Sequence, residues 1–382
     1  MNKKFFVVAS FLILALSLLD IKIIPFYNKL GLDFSNQYGF HHCPPSDLSI
    51  YKIPAVKCQD YLARPYVYPP LLFQLYSWNK LFSNVTSAYY FFVFLHICSF
   101  LLIVYIWAQK NLLSLLFGLG LFATFPNLFL LERGNSDMFI VLFWSLAYWS
   151  YRNQKFYLVG LFVAISLFAK LYPLYALVVL GMYLAKNYQP HVKIFRSFNI
   201  SSVGIVLLAP YWWFEYLVDV LPGWSSANTG ILNLAHSLKS VPLGSGIYLL
   251  CFLFWILAAY KASSKRLDWI FAGGLAICTF KNGVSFDYNL VTVFPLAIVG
   301  FNYLSKVNNK LLTLCFLLLY FTVFGSRYLL SHVEFYPALR LYIMGIALMI
   351  IPFSLFDLSH DIKRLQSFVK FKYRCWNECK PH

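Results

Sequence analysis

The sequence predicts an all-α polytopic membrane protein of about twelve transmembrane helices with a long first outer loop. Three observations carry that prediction. Hydrophobic residues make up 60% of the 382 positions, aromatics 20% and charged residues only 12%, whereas soluble domains run near half apolar and a quarter charged. Apolar runs such as FFVVASFLILALSLL and LLTLCFLLLYFTVF recur along the chain and approach the ~20 residues that cross a bilayer. The cations fall on one side of the resulting threading, although the net charge of +17 taken alone invites a nucleic-acid reading.

That one-sidedness is specific. Short basic connections occur at Lys110, Arg152/Lys155, Lys186/Lys193/Arg196, Lys261/Lys265/Arg266 and Lys306/Lys310. With Lys3/Lys4 and the tail DIKRLQSFVKFKYRCWNECKPH they hold 19 of the 31 Lys and Arg residues. Threading the chain back and forth from a cytoplasmic N-terminus puts every group on the cytoplasmic side, as the positive-inside rule requires. The expected location is the plasma (inner) membrane with both termini cytoplasmic. Nucleic acid is not an expected partner.

Taken in order, MNKKFFVVASFLILALSLLD has a basic start and an apolar core without a small-x-small cleavage site, which reads as an uncleaved signal anchor spanning 5–26. The outer loop 27–86 follows, its last third reading as a short amphipathic helix opened by Pro69-Pro70 and anchored at the outer interface by Tyr76 and Trp78, or else as a crossing that would reverse everything after it and spoil the positive-inside count. Further spans are expected at 87–108, 111–131, 138–151, 156–169, 172–186, 198–214, 246–260, 268–280, 288–304, 311–325 and 338–356. Several are nearer 15 than 20 residues, which predicts tilted or broken helices. Residues 1–360 thus read as one transmembrane domain and 361–382 as a basic cytoplasmic tail lying on anionic headgroups.

Of the eight Cys, Cys98, Cys251, Cys278 and Cys315 lie in apolar segments and read as small core residues. Cys43 and Cys58 share the long non-cytoplasmic loop, where either a disulfide or two free thiols fits. Cys375 and Cys379 fall in the cytoplasmic tail, where thiols stay reduced. His41-His42 beside Cys43 and Asp47 superficially suggest a metal, but adjacent His residues rarely face one ion and helical i,i+4 spacing is absent. No metal or other cofactor is expected. Asn84-Val85-Thr86 matches a glycosylation sequon.

The inner connections are almost purely basic; the outer ones carry both signs. Arg133 and Asp137, Lys170, Glu215 and Asp219, Lys281 and Asp287, and Arg327 and Glu334 lie at or just outside membrane depth. Ionisable groups there are costly and mark a site or wet cavity. Asp33, in GLDFSNQY, reads either as a helix cap or as a base for an acceptor hydroxyl. ERGNSDMF, residues 132–139, reads as a turn in which Asn135 or Ser136 caps the helix starting near Asp137, or as an anion site built from Arg133 and that helix start. Glu132 and Arg133 could instead pair together. Lys170, in FAKLYPLY, is a lone cation in a connection too short for it to leave the bilayer, although snorkelling also accounts for a Lys at a span end. With Lys281, Arg327 and Arg340 it suits a lipid-linked phosphate where water is scarce. No P-loop, GxGxxG, GxSxG or HExxH occurs.

In order along the chain, GLDFSNQY, YVYPPLL, ERGNSDMF, FAKLYPLY and GVSFDYNLVTVFPL resemble the motifs of polyprenol-phosphate-dependent glycosyltransferases of the C superfamily, in particular glycosyltransferase family 87. The resemblance covers about residues 33–300. It implies a membrane glycosyltransferase that moves a mannose-like sugar from a polyprenyl-phosphate-linked donor to a lipid or glycan acceptor on the non-cytoplasmic face. Carried over residue by residue, Asp33 is the general base, and Arg133, Lys170 and Lys281 meet the donor phosphate. Asn135, Asp137, Asp287 and Tyr68 line the site. The competing expectation is a secondary transporter or lipid flippase, since twelve spans with both termini inside suit one, although no internal repeat is visible.

Overall fold

The computed structural model describes residues 3–19, 31–43, 49–58, 64–185, 188–221, 244–280, 287–325 and 336–356. Among them the chain forms α-helices and short 3-10 or π segments and no strand. In chain order the helices are α1 (Lys3–Ser17), α2 (Leu32–His41), α3 (Pro70–Leu75), α4 (Val85–Ala108), α5 (Leu112–Gly120), α6 (Phe125–Arg133), α7 (Asp137–Arg152), α8 (Phe156–Ala169), α9 (Leu174–Leu184), α10 (Tyr188–Leu207) and α11 (Pro210–Glu215). Then come α12 (Gly244–Lys261), α13 (Leu267–Ile277), α14 (Phe294–Leu304), α15 (Lys310–Phe324) and α16 (Tyr336–Leu355).

Local chemistry starts and stops these helices. Asn84 caps α4 by accepting the Ser87 N–H at 2.8 Å, Asn111 caps α5 through Ser114, and Asn309 caps α15 through Leu312. Each satisfies an amide that the helix itself leaves unpaired. The sequon Asn84 is therefore occupied as a cap. Proline stands in the first turn of α3, α6, α11 and α14, where its missing N–H costs nothing.

The same prolines break two of the expected spans. Residues 111–131 do not form one rod: α5 with its 3-10 extension meets α6 at a 50° bend before Pro126, and α10 meets the Pro210–Val220 stretch at 98°. A proline inside an apolar run removes one backbone bond and pushes its predecessor out of the helical region. By length and composition one helix, α4, is long and apolar enough to cross a membrane, or up to three if each bent pair counts as one span. Among the described residues six of the other expected spans appear as shorter apolar helices of 10–17 residues, while those at 5–26, 138–151 and 268–280, which fall on α1, α7 and α13, are not among them.

The α7 and α10 helices flank α8, while α4 lies against α7 and α13 against α9. On the other side α16 packs with α12 and α15. Large aromatics fill the interior: Trp107 stacks on Tyr148 at 4.2 Å and donates its indole N–H to Ser145, and Phe117 stacks on Phe301 at 4.3 Å. The outward faces are apolar too. Tyr90, Phe94, Ile97, Leu101 and Tyr105 form an exposed stripe on α4, opposite the buried Phe92, His96, Phe100 and Trp107. Leu311, Leu314, Leu318 and Phe321 repeat the pattern on α15.

Three local expectations are corrected. Tyr76 anchors no interface: it is buried, packed with Phe34, Trp78 and Phe92, because α3 folds inward against α8. Cys98 is exposed rather than core, since it falls on the outward side of α4. Asp33 is not the cap of α2; Gly31 holds that position in a left-handed conformation. Cys43 and Cys58 are joined in a disulfide. The tail 361–382, with Cys375 and Cys379, lies outside the described residues.

Candidate functional site

The site grows from helix ends. Arg133 is the last residue of α6, Asp137 the first of α7, Lys170 directly follows α8, and Asp33 lies in the first turn of α2. Two glycines make their convergence feasible. Gly31 and Gly134 have φ of +74° and +68°, which only glycine adopts at little cost. A Cβ on Gly134 would lie 2.5 Å from the Phe34 Cβ, and one on Gly31 2.6 Å from the Tyr89 ring. Gly31 N–H also donates to the Glu132 carbonyl at 2.8 Å, tying the start of α2 to the end of α6.

The α2 helix is unusual in that Asp33 through His41 are all buried although most carry polar atoms. Its side chains are held individually: Ser35 donates to the Leu32 carbonyl, Asn36 to the Arg64 carbonyl at 3.0 Å, and Gln37 accepts from the buried Tyr66 hydroxyl at 3.0 Å. Buried polar groups are kept only where such partners exist.

Asp33 accepts from three residues. Arg133 engages it side-on, Nη2 to Oδ1 at 2.6 Å and Nε to Oδ2 at 3.3 Å. Arg64 Nη1 reaches Oδ1 at 3.1 Å while another of its nitrogens donates to the Leu32 carbonyl, and Asn135 Nδ2 reaches Oδ2 at 3.3 Å. A second ion pair lies alongside, where Lys170 donates to Asp137, which is wholly buried and also accepts from Asn289. Asn135 links the two pairs, because its Oδ1 accepts from Lys170 Nζ at 2.9 Å and from the Asp137 N–H at 3.2 Å. Tyr68 closes one wall, its ring centroid 5.8 Å from Lys170 Nζ. Burial and then the Asp33 carboxylate push its phenol well above the ordinary tyrosine range, with Arg64 opposing.

Of the residues expected from sequence, Asp33, Tyr68, Arg133, Asn135, Asp137 and Lys170 come together. Lys281 and Arg327 lie outside the described residues, as do the side chains of Asp287 and Arg340. Glu132 is buried beside the cluster, and the Arg133 guanidinium turns to Asp33. Two members were not anticipated. Arg64 sits in ARPYVYPP, a loop with no periodicity to orient it, and Asn289 is an uncharged residue in FDYNLV with no feature to set it apart from its neighbours. His41 and His42 face apart, one stacked on Phe73 and the other on Tyr38.

Three cations and two carboxylates leave the cluster one positive charge in excess. The cations retain partial exposure, with side chains 29%, 23% and 12% accessible for Arg64, Arg133 and Lys170, whereas Asp33 and Asp137 are at 7% and 0%. Such a site can receive an anion at its accessible cationic edge while its carboxylates stay behind it. Searches against family models, curated proteins and solved structures found no match.

Proposed function

We propose that the chain is a polytopic membrane glycosyltransferase of the C-superfamily type, similar to glycosyltransferase family 87, that moves a mannose-like sugar from a polyprenyl-phosphate carrier to an acceptor hydroxyl on the non-cytoplasmic face. The observation that carries the reading is the junction of Arg64, Arg133 and Lys170 with Asp33 through Asn135. The apolar stripes on α4 and α15 support the membrane setting, since exposed apolar faces of that extent need a nonaqueous neighbour.

In this reaction the acceptor O–H attacks the sugar carbon that bears the phosphate. The proton passes to Asp33, and the electron pair of the breaking carbon–oxygen bond leaves on the phosphate. The cations stabilise the charge gathering there, and Asp33 is the group that can take a proton within hydrogen-bond reach. Arg133 serves both ends. A phosphate arriving at the accessible edge competes for its guanidinium, and each contact Asp33 gives up frees an oxygen for the acceptor. The donor thereby prepares the base.

The deciding measurement is transfer from radiolabelled polyprenyl-phosphate sugars in membranes holding the full chain. Wild type is expected to label an acceptor, while Asp33→Asn at equal protein level is expected to lose the activity. Full transfer by Asp33→Asn would remove Asp33 from the chemistry, and carrier-dependent movement of sugar without a new glycosidic bond would favour the transporter or flippase.

A further inference from the structure

A second site opens at the other end of α2. His41, the last residue of that helix, borders a cavity of about 450 Å³ whose walls include Phe73, Gln74, Ser77, Lys80 and Trp212. This falls within the roughly 300–1,000 Å³ of small-molecule sites. Phe73 and Trp212 meet edge to face at 5.6 Å, and His41 stacks on Phe73 at 3.9 Å, so one wall is a connected set of rings. Gln74, Ser77 and Lys80 add an amide, a hydroxyl and an amine to the same lining.

His41 is only 8% exposed, yet neither ring nitrogen makes a hydrogen bond of ordinary geometry among the described residues. The Phe73 backbone is the polar group beside the ring. Both nitrogens are closed off from the cavity, so His41 contributes the ring stacked on Phe73 rather than a polar contact.

We infer that this cavity binds a sugar ring of a saccharide acceptor. Aromatic faces suit the C–H faces of a pyranose, and the scattered amide, hydroxyl and amine of Gln74, Ser77 and Lys80 suit its hydroxyls, which both donate and accept. Lys80 is the single cation in the lining, too little for a nucleotide or pyrophosphate, which require several. A metal needs more ligands than one imidazole. Asp33 and His41 are eight positions apart on α2, about 12 Å along the axis, which places the bound ring apart from the reacting hydroxyl. The inference deepens the transferase reading by making the acceptor a glycan, and rests on it for that word alone.

The test is saturation-transfer NMR on the purified full-length protein in detergent. The probes are methyl glycosides of mannose, glucose, galactose and N-acetylglucosamine, their disaccharides, and inorganic pyrophosphate as an anionic control. At least one glycoside should receive saturation from wild type. Its binding should weaken by roughly three- to tenfold in Trp212→Ala, the worth of one ring contact, and weaken also in Gln74→Ala. Trp212→Phe should keep most of it, which separates ring loss from misfolding. No transfer to any glycoside, equal binding in both alanine variants, or pyrophosphate as the preferred ligand would overturn the assignment. Asp33→Asn should bind the glycoside as wild type does. Binding that survives while no sugar transfer occurs keeps the cavity and sinks the transferase, whereas transfer with an acceptor KM unmoved by Trp212→Ala sinks the cavity alone.

Discussion

Arg133 grips Asp33 side-on across a hundred residues of sequence, with two nitrogens on two oxygens at 2.6 and 3.3 Å. A lysine keeps the charge there and loses the fork. Arg133→Lys is therefore expected to retain insertion and reduce kcat/KM for the donor by about 10²-fold, the scale of one removed donor to a developing charge. Arg133→Ala should also destabilise the protein by about 1–3 kcal/mol, less than a fully buried pair because the guanidinium is partly solvated. Steady-state transfer and thermal unfolding in detergent check the two effects separately.

The Asn135 bridge makes a different demand. Asn135→Ala and Lys170→Ala share a partner, so their effects should not add. A double-mutant cycle on transfer rate is expected to give a coupling of roughly 0.5–3 kcal/mol. Strict additivity would mean that the two ion pairs act independently.

Gly134→Ala tests the turn. Its φ of +68° and a Cβ position 2.5 Å from Phe34 cost at least about 1–2 kcal/mol by conformation alone, with the contact adding to it. The melting temperature should fall and so should activity, since Arg133 and Asn135 flank the distorted residue. Gly181→Ala, which meets nothing within 4 Å on α9, is the control and should be tolerated.

His41 provides a pH signature. Burial lowers its pKa from 6.5 to about 4, so the unfolded chain binds a proton that the folded chain refuses between those values. Stability is then complete above about 6.5 and falls as pH drops toward 4. Melting temperature measured across that window should decline in wild type and decline less in His41→Gln. Glycoside binding should stay level from pH 7 down to pH 5, where the imidazole remains neutral.

Much of this site could be read from the sequence because its members are anomalies. A charge or a polar turn residue in an apolar chain stands out whatever the fold, and Asp33, Arg133, Asn135, Asp137 and Lys170 are each one or the other. Helix 156–169 matched α8 residue for residue, since Lys155 and Lys170 bound an unbroken apolar run. The bends were equally written, in FATFPNLF and LAPYWW, where proline outweighs continuous hydropathy. Arg64 and the burial of Tyr76 could not be read, because both depend on how an aperiodic loop folds back over α2. The Lys52–Glu215 pair at 2.7 Å, which ties that loop to α11, has the same tertiary origin.

The disulfide between Cys43 and Cys58 lies just past the end of α2 opposite Asp33. Since α2 is buried along nearly its whole length, it has little room to flex and must shift as a rod. One end is tethered covalently to residues 49–58, and the other is gripped by two arginines. Reducing a bond two residues beyond His41, or loosening the loop it holds, would thus be felt as a change of aim at Asp33. What joins that sulfur pair to the Asp33 carboxylate is the ten residues of α2.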